Sequence, residues 1–289
     1  MTFDQQLNYL IENALKEDTG DGDHSTLAII AADAKGKAVL KIKQEGILAG
    51  MQVAEKIFSY REPASVFTSI MSDGDKMKEG DRAFEIQATV HTILQCERLV
   101  LNCMQRMSGI ATLTKQYTEK LKGYKTRLLD TRKTTPNFRL LEKEAVRIGG
   151  GVNHRFGLYD MIMLKDNHID YCGGIEKAIE KAVEYVRTTK PGLKIEIETR
   201  TIDDVKKVIA AGKGKVFRIM LDNMKPEQVE EAVTLIKAVP GAWFETEASG
   251  GINLDNIEAY AKTGVDYVSV GALIHQAKSL DLSLKAVII

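Results

Sequence analysis

From residue 127 onward the chain repeats one pattern, a short apolar run that ends in polar or charged residues and is followed by a helix-like segment. The apolar runs occupy residues 127–130, 161–164, 194–198, 217–221, 243–247 and 267–270. Helical spacing of apolar residues occurs between most of them, at 174–186, 202–211, 226–238 and 254–262. Alternating strands and helices form parallel sheets with right-handed crossovers.

Six such units, with a further short one expected near Val146, predict an α/β barrel or near-barrel. The competing fold is a doubly wound open sheet. Its dinucleotide-binding form needs Gly-x-Gly-x-x-Gly after an early strand, and that motif does not follow one here. We therefore favour the barrel.

The part of the chain before residue 127 reads as a mixed α/β segment. Helical periodicity is found at residues 1–16, 50–60 and 90–121, the last with an expected interruption at Ser108-Gly109, and strand-like runs at 37–44, 65–70 and 82–89.

The charge balance and composition argue against several classes of function. Lys+Arg and Asp+Glu both number 40, so the net charge is zero, whereas general nucleic-acid binding draws on a basic excess. No apolar run approaches the ~20 residues that span a bilayer, and the N-terminus lacks the pattern of a signal peptide. The three cysteines have no metal-type spacing. We expect a cytoplasmic protein that binds neither nucleic acid nor membrane.

Residues at the carboxyl ends of the predicted strands are the active-site candidates, because α/β barrels form their sites at that face. In chain order these are Asp130, Thr131, Arg132, Lys133, His154, Arg155, Lys165, Glu196, Glu198, Asp222, Ser249, Gly250, Gly251, Ser269, Val270 and Gly271. The set combines cations with carboxylates, so it can bind an anion and a metal ion together.

Two glycine-containing turns follow the last two strands. Ser249-Gly250-Gly251 leads to a helix start at Asn253, and Gly271 follows the run 267–270. Each turn alone is better explained as an ordinary left-handed turn. Their succession on the final two strands favours phosphate binding by backbone amides.

Charged side chains suggest the ligands. Arginine presents a planar fork that suits carboxylates, and lysine presents a compact charge. Taken singly, such cations are more often solvated, but Lys165 directly ends an apolar run. Glu198 and Asp222 end two strands, and carboxylates together with substrate phosphates usually hold Mg²⁺. The alternative for these two carboxylates is an ion pair with Lys165 or Lys133.

The segment Asp130-Thr131-Arg132-Lys133-Thr134-Thr135-Pro136 resembles the signature of the quinolinate phosphoribosyltransferase family. So does the stretch 143–169, with Gly149-Gly150-Gly151-Val152-Asn153-His154-Arg155 and Leu164-Lys165-Asp166-Asn167-His168. Supporting matches include Glu97-Arg98, Leu221-Asp222-Asn223 and Glu247-Ala248-Ser249-Gly250-Gly251. The resemblance covers nearly the whole chain. The chain departs from the residues common in the family at Asn137-Phe138 and at Ala248. Neither departure removes a residue with a named role.

The resemblance implies an open α/β (TIM-like) barrel at residues 113–272 with an N-terminal α/β sandwich domain at 1–112, joined by the C-terminal segment 273–289. It also implies a homodimer in which one subunit's N-terminal domain completes the other's active site, and such dimers could assemble further into a hexamer. The implied reaction converts quinolinate and phosphoribosyl pyrophosphate to nicotinate mononucleotide, pyrophosphate and CO₂, with Mg²⁺, in NAD synthesis.

The resemblance also implies a role for each candidate. Quinolinate is expected to contact Arg98 across the subunit interface, together with Thr131, Arg132, Lys133, His154, Arg155 and Lys165. Phosphoribosyl pyrophosphate is expected to contact Lys133, Glu198, Asp222, Ser249, Gly250, Gly251, Ser269, Val270, Gly271 and His275. The expected catalytic residues are Lys133, Glu198 and Asp222, of which Glu198 and Asp222 are also the expected metal ligands.

Two other functions stay open on the residues alone. Lys133 or Lys165 could act as a Schiff-base nucleophile on a phosphosugar, although a simple aldose phosphate does not need so many cations. The chain could instead be a non-catalytic phosphometabolite sensor or a transport-associated homologue, since fold alone does not fix activity. The joint presence of the cations and the metal-type carboxylates argues against that second reading.

Overall fold

The computed structural model describes residues 2–241 and 243–287. Its helices are α1 (Phe3–Thr19), α2 (His24–Ile29), α3 (Met51–Arg61), α4 (Val90–Lys120), α5 (Arg139–Ile148), α6 (Asp166–Cys172), α7 (Ile175–Thr188), α8 (Ile202–Gly212), α9 (Pro226–Lys237), α10 (Ile257–Lys262) and α11 (Ala272–His275). Its strands are β1 (Lys35–Ile42), β2 (Gly46–Ile47), β3 (Val66–Ser69), β4 (Lys76–Met77), β5 (Arg82–Thr89), β6 (Arg127–Leu129), β7 (Ile162–Leu164), β8 (Ile195–Thr199), β9 (Arg218–Asp222), β10 (Glu245–Ser249), β11 (Tyr267–Ser269) and β12 (Leu282–Ala286).

The chain divides into two compact units. The first comprises the described residues within Met1–Lys115, Lys133–Gly150 and Leu273–Ile289, and the second comprises Gln116–Arg132 and the described residues of Gly151–Ala272. Residues 288 and 289 of the predicted C-terminal segment lie outside the described residues, as does Met1 of the predicted first helix. The domain boundaries at residues 112 and 272 stay a prediction.

The first unit is built on an antiparallel sheet of order β12-β1-β5-β3. Strand β1 pairs with β5 on one side and with β12 on the other. Aromatic residues fill its core, with the rings of Phe67 and Phe84 4.5 Å apart and those of Phe58 and Phe84 6.2 Å apart. This unit is the N-terminal α/β sandwich.

Helix α4 runs without a break through Ser108 and Gly109, so the predicted interruption was wrong. A Cβ at position 109 would lie 2.0 Å from the Lys278 carbonyl oxygen. The Ser108 hydroxyl accepts a hydrogen bond from the Ala49 amide at 3.0 Å. The pair of small residues therefore serves close packing inside the first unit, and packing within a folded unit overrides the helix-breaking tendency of glycine.

The second unit carries a six-stranded parallel sheet of order β6-β11-β10-β9-β8-β7. From β7 to β11 the strands lie side by side in chain order, and β6 pairs with β11. The sheet is therefore open between β6 and β7, which are its first two strands in the chain. In a doubly wound sheet, the order of the strands would instead reverse at a central strand. The fold is thus an open, TIM-like α/β barrel, as predicted.

The strand unit expected near Val146 was wrong. Residues 139–148 form α5, and Leu141, Ala145 and Val146 are fully buried at helical spacing. Farther along the chain, Val152 makes a single parallel bridge to Leu129 at the edge of the barrel sheet. Within residues 2–241 and 243–287, no helix has both the length and the apolar content needed to cross a bilayer.

Candidate active site

The carboxyl ends of the parallel strands bring most of the predicted residues to one rim of the second unit. Lys165 follows β7, Glu198 lies near the end of β8, and Asp222 and Ser249 end β9 and β10. The strands are in register, with Ser249 opposite Asp222. Parallel pairing is what aligns these residues, because every strand ends on the same side of the sheet.

Cations meet at this rim. The Arg155 side chain is buried, and its Nη1 donates to the Met161 carbonyl at 3.1 Å. Burial lowers the pKa of Arg155, and the neighbouring charge of Arg132 lowers it further. The charges of Glu196 and Asp160 act in the opposite direction. A ligand with more than one negative charge would reduce the repulsion between the two guanidinium groups.

Carboxylates meet beside the cations. Burial of Glu198, together with the charges of Asp222 and Asp166, raises its pKa, while Lys165 and the Asp166 amide act in the opposite direction. Glu198, Asp222 and Asp166 together therefore carry more negative charge than Lys165 balances, at a partly buried position. Oxygen ligands of this kind suit a hard divalent cation such as Mg²⁺, so the donor set fits the expected metal.

The turn after β10 has a backbone that only glycine fits. Gly250 has φ +92°, and a Cβ there would lie 2.2 Å from Asn223 Oδ1. Asn223 is itself left-handed at φ 54°, and its amide donates to the Ser249 carbonyl at 2.8 Å. At Gly251, with φ +63°, a Cβ would meet nothing within 4 Å. One side of the turn thus packs tightly against the turn after β9, and the other is open to a ligand.

A layer of buried charge lies beneath the rim. His154 Nε2 is 2.9 Å from Glu196 and 3.4 Å from Glu247. Arg218 donates to Glu247 at 3.0 Å, and its guanidinium carbon lies 4.4 Å from the centre of the Tyr267 ring. These charges are buried but are compensated by one another, as buried charges must be.

The ring of His154 is fixed on both sides. Its Nδ1 accepts a hydrogen bond from the Arg155 amide at 2.7 Å, and the His154 amide donates to Asp130 at 2.8 Å. Burial by itself lowers the pKa of His154, but the hydrogen bonds and charges of Glu196 and Glu247 outweigh burial and raise it to about 9. When the ring is neutral, a hydrogen bond accepted at Nδ1 places the ring proton on Nε2, facing the carboxylates, whereas the protonated ring that the raised pKa favours carries a proton on both nitrogens. Both ring nitrogens are engaged inside the protein, and contact between His154 and quinolinate stays a prediction.

His154, Glu196 and Glu247 have the spacing of a metal site, with one ligand atom from each within 4.8 Å of the others. Arg218 Nη1 stands 3.0 Å from Glu247 and 3.8 Å from Glu196. Arg218 Nη1 and His154 Nε2 already face both carboxylates, so we assign no metal to this group.

Sequence reasoning missed Arg218 and Glu247, and it placed Glu196 with the rim. The sequence pattern that indicates this inner layer is the alternation of charged residues along one strand. Glu196 and Glu198 occupy every second position of a strand whose five residues are all buried. In a barrel such positions face the interior. Looking only at strand ends overlooked this inner layer.

Ser269 and Val270, expected at the phosphate, contact the interior of the second unit. A hydrogen bond from the Ser269 hydroxyl helps lower the pKa of Glu247 despite burial of that carboxyl. The Val270 amide donates to the Leu129 carbonyl at 3.1 Å. Thr131, which follows Asp130, is half-buried, as is Gly271, which follows Val270.

Three predicted residues belong to the first unit. Arg98 is exposed on α4, Lys133 is exposed in the loop before α5, and His275 is exposed at the end of α11. Outside the predicted set, His168 accepts a hydrogen bond from the Lys165 amide at 3.0 Å through Nδ1 and thereby caps α6. The predicted roles of Arg98, Lys133 and His275 stay predictions.

The barrel, the cationic rim and the glycine turn define the class of α/β-barrel proteins that bind phosphorylated, anionic ligands at the carboxyl ends of the strands. Residues 23–108 match the family described as "Quinolinate phosphoribosyl transferase, N-terminal domain". Residues 110–285 match "Quinolinate phosphoribosyl transferase, C-terminal domain". The chain belongs to the quinolinate phosphoribosyltransferase family.

Individual relatives agree with the family. The chain is 44% identical to quinolinate phosphoribosyltransferase [decarboxylating] 1b of Nicotiana tabacum, covering 98% of this chain and 83% of the relative. It is 41% identical to the probable nicotinate-nucleotide pyrophosphorylase [carboxylating] of Bacillus subtilis (strain 168), covering 96% and 93%. The crystal structure of NadC from Streptococcus pyogenes superposes with a TM-score of 0.89 at 41% identity, covering 100% and 99%. The Francisella tularensis nicotinate-nucleotide pyrophosphorylase gives a TM-score of 0.88 at 38% identity, covering 99% and 98%.

Proposed function

We propose that the chain is a decarboxylating quinolinate phosphoribosyltransferase, a pentosyltransferase of NAD biosynthesis. It converts quinolinate and phosphoribosyl pyrophosphate to nicotinate mononucleotide, pyrophosphate and CO₂. The observation that carries the proposal is the rim of the barrel, where Arg132 and Arg155 lie beside each other and Lys165 lies beside the carboxylates Glu198 and Asp222. A dicarboxylate and a metal-bound pyrophosphate need these two kinds of group side by side.

Quinolinate binds through its two carboxylates. Arg132 and Arg155 supply planar forks and Lys165 supplies a compact charge, which together suit a dianion. Thr131 and Lys133 are further contacts, and His154 fixes the backbone from which Arg155 extends.

Phosphoribosyl pyrophosphate binds along the carboxylates and the glycine turn. Glu198 and Asp222 would hold Mg²⁺, which would neutralise charge on the pyrophosphate. Ser249, Gly250 and Gly251 approach the phosphate closely, because the turn has an open side. Lys133 lies between the two substrates, and Ser269, Val270, Gly271 and His275 complete the phosphate end.

In the first chemical stage, the pyridine nitrogen forms a bond to the anomeric carbon of the ribose as the bond from that carbon to pyrophosphate breaks. The transition state is oxocarbenium-like, so the protein contributes mainly positioning and charge stabilisation. The carboxylate of Glu198 or Asp222 offsets positive charge that develops on the ribose.

In the second stage, the carboxylate next to the ring nitrogen leaves as CO₂. The alkylated nitrogen is positive and stabilises the electron pair left on the ring carbon as an ylide, which then takes up a proton. No strong protein base is required. The protein favours this step by holding the leaving carboxylate in a less polar setting than its partner.

The proposed assembly is a homodimer, or a hexamer built from three such dimers, in which Arg98 of one subunit reaches the quinolinate bound by the other. The exposed position of Arg98 on α4 supports this role, because a residue that acts across an interface has to project from its own subunit. We also propose a cytoplasmic location, since the three cysteines are free.

The test is a chromatographic assay for nicotinate mononucleotide with quinolinate, phosphoribosyl pyrophosphate and Mg²⁺, run in parallel with nicotinate as the acceptor. We expect product from quinolinate alone, its loss on chelation of the metal, and its loss in Glu198→Gln. Glu231→Gln, an equal charge change at an exposed position of α9, is the matched control and should retain activity. A folded wild-type protein that makes no product from either acceptor would contradict the proposal.

A further inference from the structure

A buried ion pair in the first unit joins two segments that carry proposed substrate-binding residues. Arg106, on α4, donates to Glu142 Oε1 on α5 through Nε at 3.0 Å and through Nη2 at 2.9 Å. The Glu142 side chain is fully buried, and that of Arg106 is 22% exposed. Neither residue belongs to the set assigned to either substrate.

Glu142 holds the segment that follows β6. Its Oε2 accepts a hydrogen bond from the Thr135 amide at 2.7 Å, and its Oε1 accepts one from the Thr135 hydroxyl at 2.9 Å. Thr135 lies two residues after Lys133 in a stretch without regular secondary structure. In such a stretch the backbone position depends on side-chain hydrogen bonds, because no sheet or helix ladder fixes it.

Arg106 holds the segment around α11. Its Nη1 donates to the Ala277 carbonyl at 2.7 Å, and its Nη2 donates to the Ile274 carbonyl at 2.8 Å. These carbonyls lie at the end of a short helix, where backbone acceptors lack helical partners and a positive charge is favourable. His275 lies next to Ile274 in this segment.

We propose that Arg106 and Glu142 are positioning residues that fix Lys133 and His275 relative to each other. The inference rests on the proposed function, in which Lys133 lies between the substrates and His275 is at the phosphate end. The planar fork of Arg106 makes four hydrogen bonds, two to Glu142 and one to each carbonyl, whereas a lysine ammonium has three N–H donors and no fixed planar geometry. The pair thereby couples the two segments through one guanidinium.

A double substitution separates positioning from stability. Arg106→Met leaves Glu142 as an uncompensated buried charge, so the single variant should lose thermal stability. Replacing both members of a buried pair with apolar residues is often neutral for stability. Arg106→Met with Glu142→Leu should therefore regain the melting temperature of the wild type, while Thr135 and the α11 carbonyls still lack their partners.

The measurement is the steady-state kinetics of these variants with phosphoribosyl pyrophosphate and quinolinate, together with melting temperatures. We expect the double variant to recover stability yet lose about 100-fold in kcat/KM for phosphoribosyl pyrophosphate, the cost of a small misplacement of binding groups. Arg106→Lys should show a loss in the same direction, and Thr135→Val a smaller one. The matched control is Arg187→Met with Glu184→Leu, an exposed pair on α7, which should behave as the wild type.

Recovery of both stability and kcat/KM in the double variant would overturn the inference, because the pair would then act only on folding. If the double variant does not recover stability, the inference is tested by the kinetics of Thr135→Val and Arg106→Lys. Kinetics equal to the wild type in both of these variants would overturn the inference. A wild-type protein that makes no nicotinate mononucleotide would instead contradict the proposed function, so the two failures are distinct.

Discussion

At the scale of a single residue, the carboxylate of Glu62 connects three parts of the first unit. One oxygen accepts hydrogen bonds from the Thr89 amide at 2.9 Å and the Thr89 hydroxyl at 2.7 Å, and the other lies 3.0 Å from Lys35 Nζ. Burial raises the pKa of Glu62, but the hydrogen bonds from Thr89 and Lys35 outweigh it and lower the pKa to about 2. Charged Glu62 therefore stabilises the folded state.

Glu62→Gln should lower the free energy of unfolding at neutral pH by about 1–2 kcal/mol, a value reduced by solvent screening. The charge-dependent part is complete above the ordinary pKa of 4.5 and is lost as the pH falls from there towards about 2. Urea denaturation at several pH values should show the difference between variant and wild type shrinking below pH 4.5. Glu55→Gln, at an exposed position of α3, should have little effect. A difference that stays constant with pH would contradict the assignment.

Arg132 is the single residue whose removal best tests the dicarboxylate site. Arg132→Ala should weaken quinolinate binding by about two orders of magnitude, because a charged carboxylate loses its bidentate partner. Binding of phosphoribosyl pyrophosphate should be largely intact. Titration calorimetry measures both, with Arg187→Ala on the exposed end of α7 as the matched control. Unchanged quinolinate affinity would refute the assignment of Arg132.

At the scale of the element, the barrel strands carry a charged interior layer. Arg218 of β9 donates to Glu245 at 2.7 Å and to Glu247 at 3.0 Å, both on the neighbouring strand β10. Its side chain is 7% exposed and that of Glu247 is fully buried. The layer ties adjacent strands together directly below the rim that carries Asp222 and Ser249.

Arg218→Met should destabilise the fold by about 3–5 kcal/mol, because it leaves the buried carboxylates Glu196 and Glu247 to share His154 as a counter-charge. Adding Glu247→Gln should restore part of that loss, since the amide needs no counter-charge. Chemical denaturation of the two single variants and the double variant gives the coupling energy. Strictly additive effects would show that Arg218 and Glu247 do not stabilise each other.

Which elements form could be predicted from the sequence, because periodicity and turn residues are local signals. Strand β9, predicted at 217–221, is observed at Arg218–Asp222, and α8, predicted at 202–211, is observed at Ile202–Gly212. The errors arose where distant contacts decide. Ser108-Gly109 stays helical because the Lys278 carbonyl needs the space that glycine leaves.

Part of the rim was predictable for the same reason, since Lys165, Asp222 and Ser249 end or directly follow strands and parallel strands end together. For the inner layer, the alternation of Glu196 and Glu198 was the one signal, and it did not show which face of β8 lies inside, because that depends on how the sheet closes. The contacts of Arg106 with Glu142, Ile274 and Ala277 join residues 36 to 171 positions apart in the chain, and no local pattern indicates them.

At the scale of the whole molecule, we propose that each active site draws on two subunits. Arg98 is exposed on α4 in the first unit, whereas Asp222 ends a barrel strand in the second. If each site uses Asp222 from one subunit and Arg98 from its partner, a homodimer of either single variant lacks one essential group in both sites. A mixed dimer has one site with both substitutions and one site with neither.

Arg98→Ala and Asp222→Asn should therefore each be nearly inactive alone, and mixing them under conditions of subunit exchange should restore activity. With random pairing, half of the dimers are mixed and half of the sites in those are intact, so about a quarter of wild-type activity is expected. Native mass spectrometry confirms the exchange, and Arg98→Ala mixed with wild type corrects for dilution. Absence of recovery despite demonstrated exchange would mean that Arg98 serves the site of its own subunit. Full activity of Arg98→Ala alone would remove this residue from the site, because the dicarboxylate would then be held by the rim cations of a single barrel.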